Sequence, residues 1–245
     1  MHEEYVARVR ERLAEGHLLD AAFDRLLPLA ERLKSGRHWT PVGVARMVAR
    51  RLEAHGARYV LDAGSGAGKF CAVAAGACPE LTFVGVEQHA TLVGVANELV
   101  ASLELCNVHF EQGDALARSW RDFDGFYFFN PFAENVLVRP SSASPLCTAG
   151  APPRFPAGAL RVAQRLSEAR LGSVIVTYHG LGGPIPSSYE LLSEESSGSG
   201  NLRTWRKTRA EDEAWLHLDD DDVTRASRQE LEDACLGTCT PQGAN

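Results

Sequence analysis

The stretch Tyr59 to Phe70, YVLDAGSGAGKF, constrains this chain more than any other. Tyr59, Val60 and Leu61 predict a short buried strand, Asp62 to Gly68 supply a turn with glycine at every second position, and a helical run follows. Such a unit is a ligand cradle. Gly64, Gly66 and Gly68 have no Cβ, so they permit unusual backbone angles and let a ligand approach the main chain, where the next helix presents unpaired N–H groups. Asp62, a carboxylate at the strand end, repels a phosphate and suits a ligand with an ammonium group. The competing account is that the glycines only cap an ordinary strand-helix unit.

The spacing separates cofactor classes. A dinucleotide site reads G-x-G-x-x-G, with the pyrophosphate on the helix N-terminus. Here the glycines run G-x-G-x-G behind an acid, which argues against a nicotinamide oxidoreductase. This pattern resembles the first motif of Rossmann-like class I methyltransferases that use S-adenosylmethionine. The resemblance implies an α/β fold: a Rossmann-like seven-stranded sheet with helices on both faces and a C-terminal antiparallel hairpin. It also implies that Asp62, Gly64, Ser65, Gly66 and Gly68 surround the methionine and ribose parts of that cofactor.

Two further acids stand in register with the loop. LTFVGVEQ, Leu81 to Gln88, predicts a nearly continuous apolar strand ending in Glu87, 19 residues beyond Gly68. By the resemblance, Glu87 accepts hydrogen bonds from both ribose hydroxyls, with Gln88 beside it; an ordinary surface glutamate is the alternative. Leu92, Val95, Ala96, Leu99, Val100 and Leu103 predict a helix, and VHFEQGDAL, Val108 to Leu116, the next strand and turn. Gly113-Asp114 resembles the adenine-binding motif, in which the Asp accepts from the exocyclic amine and the backbone N–H of Ala115 faces the ring. A turn-forming Gly-Asp pair competes with that reading. Upstream, RHWTP places Thr40 as a helix N-cap with Pro41 at the first helical position. A Thr-Pro pair at this place also resembles amino-methyltransferases, where the Thr hydroxyl binds the methionine carboxylate.

FDGFYFFNPF, Phe123 to Phe132, is expected to carry the chemistry. Phe126 to Phe129 are apolar enough for a central parallel strand buried on both faces. Its end, Asn130-Pro131-Phe132, resembles a shortened form of the (Asp or Asn)-Pro-Pro-(Tyr, Phe or Trp) motif, lacking the second proline. The resemblance implies that Asn130 borders the cofactor, that Asn130 and the Pro131 carbonyl accept hydrogen bonds from a target nitrogen, and that Phe132 packs on its plane; a turn-capping Asn before Pro is the bland alternative. The likeness is nearest to bacterial methyltransferases with an Asn-Pro-Phe signature and more distant to the non-SET histone-lysine methyltransferases, and it covers roughly Thr40 to Lys207. The implied activity is transfer of a methyl group to a nitrogen of a protein side chain or small molecule, with an oxygen or nucleic-acid acceptor, or a protein that binds S-adenosylmethionine without turnover, as the alternatives.

The rest of the chain frames this centre. At 245 residues, 44% hydrophobic and 23% charged, it can bury one sizeable core. We expect an N-terminal helical segment over 1–36, a methyltransferase domain over 37–209 with a Pro/Ser/Ala-rich loop insertion at 133–156, and an acidic tail over 210–245. In the first segment, Glu3 to Glu15 predicts an amphipathic helix. Leu19, Ala22, Phe23, Leu26, Leu27, Ala30 and Leu33 extend an apolar face that Pro28 kinks or splits and Gly36 closes. Ala157 to Arg170 returns to helix, Ser173 to Gly180 predicts a fifth strand, and YELLSEE and NLRTWRK, joined by SSGSG, predict a hairpin.

His179 at the end of the fifth strand is a candidate proton acceptor or an idle loop residue. A net charge of −7 disfavours long nucleic acid as the main partner, although arginines at 46, 50, 51 and 58, or Arg203, Arg206, Lys207 and Arg209, form candidate patches. The six cysteines show no paired metal-ligand spacing and read as reduced thiols, and no metal is required. No apolar run is long enough for a membrane helix, and a cytoplasmic address is expected.

Overall fold

The computed structural model describes residues 2–129, 157–183 and 185–210. Seven strands form one sheet: β1 (Tyr59–Ala63), β2 (Thr82–Glu87), β3 (Val108–Gln112), β4 (Gly125–Phe129), β5 (Val174–Tyr178), β6 (Tyr189–Ser197) and β7 (Gly200–Lys207). Their order is β3-β2-β1-β4-β5-β7-β6, with the first five parallel and β7 antiparallel to both β5 and β6. The expected architecture is therefore present. The chain walks outward from β1 to β3, returns to β4 on the other side of β1, and walks outward again. The point of return, between β1 and β4, opens a crevice at the carboxyl ends of the strands.

Alternate strand residues feed two cores. Val60, Phe83, Tyr127, Val174 and Val176 face one side, where α1 (His2–Glu15), α4 (Val42–Ala54), α5 (Lys69–Ala77) and α6 (Ala90–Ser102) pack. Leu61, Val84, Val86, Phe126, Phe128 and Ile175 face the other, with Val162 and Leu166 of α7 (Ala157–Glu168) and the buried rings of Trp120 and Phe123. Burial on both faces explains why β2 and β4 read as continuous apolar runs. No helix among the described residues is long and apolar enough to cross a membrane.

The N-terminal region differs from expectation in three respects. Pro28 does split the segment, since α2 (Asp20–Phe23) and a 3-10 turn (Asp24–Leu26) precede it and α3 (Leu29–His38) follows, but Gly36 lies inside α3 and does not end it. The predicted apolar face is only half buried: Phe23 and Leu27 join the core, while Leu19 and Leu33 are 72% and 78% exposed. Instead α3 turns its polar side inward, burying Glu31 and Ser35, and Ser35 Oγ accepts from the buried Lys69 beneath it at 2.9 Å. Finally, Thr40 is not an N-cap. Pro41 occupies that position, and Asp20 Oδ1 accepts from the Val42 N–H at 3.0 Å in place of a local cap. An Asp from a neighbouring element serves an orphan helix donor as well as a local side chain does.

At the other end, β6 and β7 close through Gly198 and Ser199 alone, with Ser197 and Gly200 already paired. Lys207 is buried and donates to the carbonyls of Ser167 and Ala169, closing the C-terminal end of α7 where cations are favoured. Most other members of the candidate basic patches are also occupied within the fold. Arg46 donates to the Gly16 carbonyl, Arg51 pairs with Glu195, Arg203 with Glu194, and Arg206 donates to the His55 carbonyl at 2.8 Å. Cys71 and Cys78 are buried free thiols, and Cys106 is exposed.

Candidate active site

The carboxyl ends of β1, β2, β3 and β4 enclose a crevice in two halves that share Ala63 and Gly64. The first half, about 120 Å³, is lined by Thr40, Asp62, Ser65, Lys69, Tyr127 and Phe129, with Trp39 and Phe70. The second, about 200 Å³, is lined by Glu87, Gln88, Asp114, Ala115, Phe128 and Val162, among others. Residues 40, 62, 64, 65, 87, 88, 114 and 115, scattered over 76 positions of sequence, are thus brought to one opening. Gly66 and Gly68 do not line it.

The three glycines have different reasons to be glycine. All have positive φ, at 84°, 56° and 78° for Gly64, Gly66 and Gly68. A Cβ at Gly64 would meet nothing, because it would project into open space. One at Gly66 would fall 2.2 Å from the Trp39 ring, and one at Gly68 would fall 2.6 Å from Phe110 and 2.7 Å from Ala96. Gly64 alone leaves its Cβ position open; at Gly66 and Gly68 side chains fill that space. The amides of Gly64 and Ser65 donate to the Val86 carbonyl, at 2.8 and 3.1 Å, so the loop is clamped to the end of β2.

Glu87 completes that clamp. Its Oε2 accepts from the Gly66 N–H at 3.0 Å and its Oε1 from the His89 N–H at 2.9 Å. One lone pair on each oxygen is so engaged, and a second remains on each for an outside donor. Asp114 caps the 3-10 turn Ala115–Ala117 by accepting from the Leu116 N–H at 2.9 Å through Oδ1. The turn-forming role is therefore real, and it fixes the carboxylate at the mouth of the second half. Gln88 is exposed there, and its carbonyl accepts from the Gln112 side chain at 3.4 Å.

Asp62 is the electrostatic focus of the first half. Burial pushes its carboxyl up to about 7, the Cys71 thiol donating to Oδ2 at 3.3 Å opposes the rise, and the charge of Glu87 adds to it. A cation entering the crevice reverses the desolvation cost. Beside it, Ser65 is 6% exposed and its Oγ has no hydrogen-bond partner. Thr40 is buried, with Oγ1 2.8 Å from Tyr127 Oη, and the Tyr127 ring stacks on Phe70 with centroids 3.9 Å apart. A buried acid short of a cation and a buried hydroxyl short of a partner fit the zwitterionic amino-acid end of S-adenosylmethionine.

Sequence reasoning missed Lys69 as a site residue. It is 2% exposed and donates to Asp20 (2.6 Å), Asp24 (2.7 Å) and Ser35 (2.9 Å), tying the N-terminal helices to the glycine loop. The signal was present: a lone charge at the start of the otherwise apolar KFCAVAAGA. Trp39, whose Nε1 donates to the Glu31 carbonyl at 2.9 Å, and Tyr127 carried no such signal, since each reads as an ordinary core aromatic.

Asn130, Pro131, Phe132 and the 133–156 insertion lie outside the described residues. Phe129, the last described residue of β4, lines the first half and stacks on Tyr178, 5.4 Å between centroids. His179 lies beyond that stack, against Gly200 in a separate hollow with Asn201 and Arg203, and does not line the crevice.

Strand order, switch point and crevice are those of the class I, Rossmann-like fold, and the family match makes the protein a methyltransferase that uses S-adenosylmethionine. The sequence profile of a family described as a methyltransferase domain matches residues 54–181, just over half of the chain, and the chain belongs to that family. Among solved structures it is similar to a methyltransferase from Geobacter sulfurreducens, with 17% identity and a TM-score of 0.51, covering 76% of this chain and 95% of that one. It is also similar to TrmN from Thermus thermophilus, with 17% identity and a TM-score of 0.51, covering 70% of this chain and 50% of that one. No curated protein sequence matches it significantly.

Proposed function

We propose that this enzyme transfers the methyl group of S-adenosylmethionine to a nitrogen, on a protein side chain or a small molecule. The observation that carries the reading is the two-part crevice: Thr40, Asp62 and Ser65 on one side of Gly64, and Glu87, Gln88, Asp114 and Ala115 on the other. In this reading Asp62 takes the cofactor's ammonium, Thr40 and Ser65 its carboxylate, Glu87 the ribose hydroxyls and Asp114 the adenine amine. Gly66 and Gly68 hold the loop in shape. The bound cofactor supplies an activated methyl group on a sulfonium that leaves as a neutral thioether.

The protein's own work is alignment and exclusion of water. Asn130, which follows Phe129 in the sequence, and the Pro131 carbonyl accept hydrogen bonds from the acceptor amine and aim its lone pair, and Phe132 walls the pocket. An acceptor that arrives as an ammonium gives its proton to solvent before the site closes on it, so that the lone pair is free to attack. The Asn-Pro-Phe triplet and the likeness to the non-SET histone-lysine group favour nitrogen over oxygen.

The test has two arms. Calorimetric titration should show binding of S-adenosylmethionine and S-adenosylhomocysteine and none of NAD. Radiolabelled methyl transfer into fractionated lysate should mark protein or small molecules, and Asn130→Ala should abolish the labelling while leaving S-adenosylhomocysteine binding intact. Turnover that survives Asn130→Ala would point to an oxygen acceptor and overturn the nitrogen assignment.

A further inference from the structure

The crevice contains one hydroxyl pair that the proposed function leaves half used. Thr40 Oγ1 and Tyr127 Oη lie 2.8 Å apart, both buried, and both line the first half of the crevice with the partnerless Ser65 Oγ. Each hydroxyl owns one proton, and one hydrogen bond joins the two. One proton of the pair is therefore left to donate elsewhere. Which hydroxyl keeps it depends on which one gives.

We infer that Tyr127 is a positioning residue for the cofactor: its phenol donates to Thr40 Oγ1, so that the Thr40 proton points into the crevice toward the cofactor's carboxylate. Three features support this direction. A phenol is a stronger donor than an aliphatic hydroxyl, so the bond runs more favourably from Tyr127 to Thr40. Burial pushes Tyr127 well above the ordinary tyrosine range, with the Asp62 charge adding to the rise although the Thr40 hydrogen bond opposes it, so the phenol keeps its proton. And the ring has no freedom to turn away, because it is stacked on Phe70 at 3.9 Å and belongs to β4, whose Tyr127 is in register with Asp62 of β1.

The consequence is a three-point seat for an amino-acid end. Asp62 accepts from the ammonium, while Ser65 Oγ and the Thr40 hydroxyl donate to the carboxylate. Tyr127 itself need not touch the cofactor. Its part is to decide which way Thr40 faces, a decision that a hydroxyl left to itself makes only at the cost of rotor freedom. The same seat explains why Thr40 is buried and bonded to β4 when it does not cap α4. This inference rests on the proposed placement of the cofactor and adds a residue to it.

The experiment compares two ligands that differ only at that end. S-adenosylhomocysteine carries the amino-acid group, and 5′-methylthioadenosine keeps the nucleoside and sulfur without it. Tyr127→Phe removes one oxygen and leaves the stacked ring. It should weaken S-adenosylhomocysteine about threefold, the cost of a Thr40 hydroxyl left free among three staggered positions, with 5′-methylthioadenosine unchanged. Thr40→Val should lose at least as much, Thr40→Ser should stay near wild type, and the double variant Thr40→Val/Tyr127→Phe should bind no worse than Thr40→Val alone, because both changes break one chain of donors. Wild-type affinity for S-adenosylhomocysteine in Tyr127→Phe overturns the inference, as does an equal loss for both ligands, which marks a general packing effect. A wild-type protein that binds neither ligand overturns the cofactor placement itself, and the inference falls with it.

Discussion

At the scale of single residues, Asp62 makes the most direct prediction. In the free protein its carboxyl titrates near 7 because burial disfavours the charge, whereas a bound ammonium or sulfonium holds it ionised. Cofactor affinity is therefore full above pH 7 and falls as pH drops below it. For a group at about 7, S-adenosylhomocysteine should bind about tenfold more weakly at pH 6 than at pH 8. Asp62→Asn should bind weakly and without that slope, and a wild-type affinity that stays flat between the two values would remove Asp62 from the cation seat. The sign for stability is opposite: a carboxyl raised in the folded state binds more protons than in the unfolded chain, so the free protein loses stability as pH climbs from about 4 through 7. The glycines separate binding from folding in the same way. Gly68→Ala combines positive φ with contacts at 2.6 and 2.7 Å and should cost roughly 2–4 kcal/mol in urea unfolding. Gly64→Ala meets open space, so it should cost only about 1–2 kcal/mol of strain while obstructing the crevice and cutting cofactor affinity.

At the scale of elements, α3 shows where periodicity misleads. The spacing of Leu26, Leu27, Ala30 and Leu33 predicts an apolar face turned inward, and pattern alone has no means of seeing that Lys69, far along the chain, needs acids and a hydroxyl above it. Once Lys69 is buried, Asp20, Asp24 and Ser35 must face it, and Leu33 is carried to the surface. The same long-range partner set explains the missed cap: Asp20 serves both Lys69 and the Val42 N–H, which leaves Thr40 free to bond Tyr127. Elements set by apolar burial were legible almost to the residue, β4 as Phe126 to Phe129 against the observed Gly125–Phe129. Those fixed by a remote charge were not. Lys69→Met should therefore cost about 3–5 kcal/mol, because two carboxylates lose their buried partner. It should also expose the first 38 residues to limited proteolysis before the rest of the chain. Leu33→Lys should leave the unfolding midpoint within experimental scatter, where Leu27→Ala should lower stability by about 2–4 kcal/mol.

At the scale of the whole molecule, the sheet order and the crevice follow from one arrangement. Acids at the ends of successive parallel strands are legible in sequence because a buried strand must stop being apolar where it reaches solvent, and the ends of neighbouring parallel strands fall on one edge. That is why Asp62, Glu87 and Asp114 converge although nothing local connects them, while the hydroxyl pair between β4 and the segment before α4 left no trace in the pattern. The two halves of the crevice meet only at Ala63 and Gly64, so a ligand filling both joins β1 to β2 and β3 on one side and to β4 and the Thr40 segment on the other. Such a ligand should stabilise the fold as one unit. S-adenosylhomocysteine at a hundredfold excess over its dissociation constant adds about 2.7 kcal/mol to the folded state. For a chain of this size that raises the melting temperature by about 5–10 °C. Adenosine and methionine, each reaching one half, should shift it less at the same concentration, and NAD should not shift it. If adenosine alone matched S-adenosylhomocysteine, the half beneath Thr40 and Asp62 would contribute nothing to binding, and the two-part crevice would reduce to a nucleoside site.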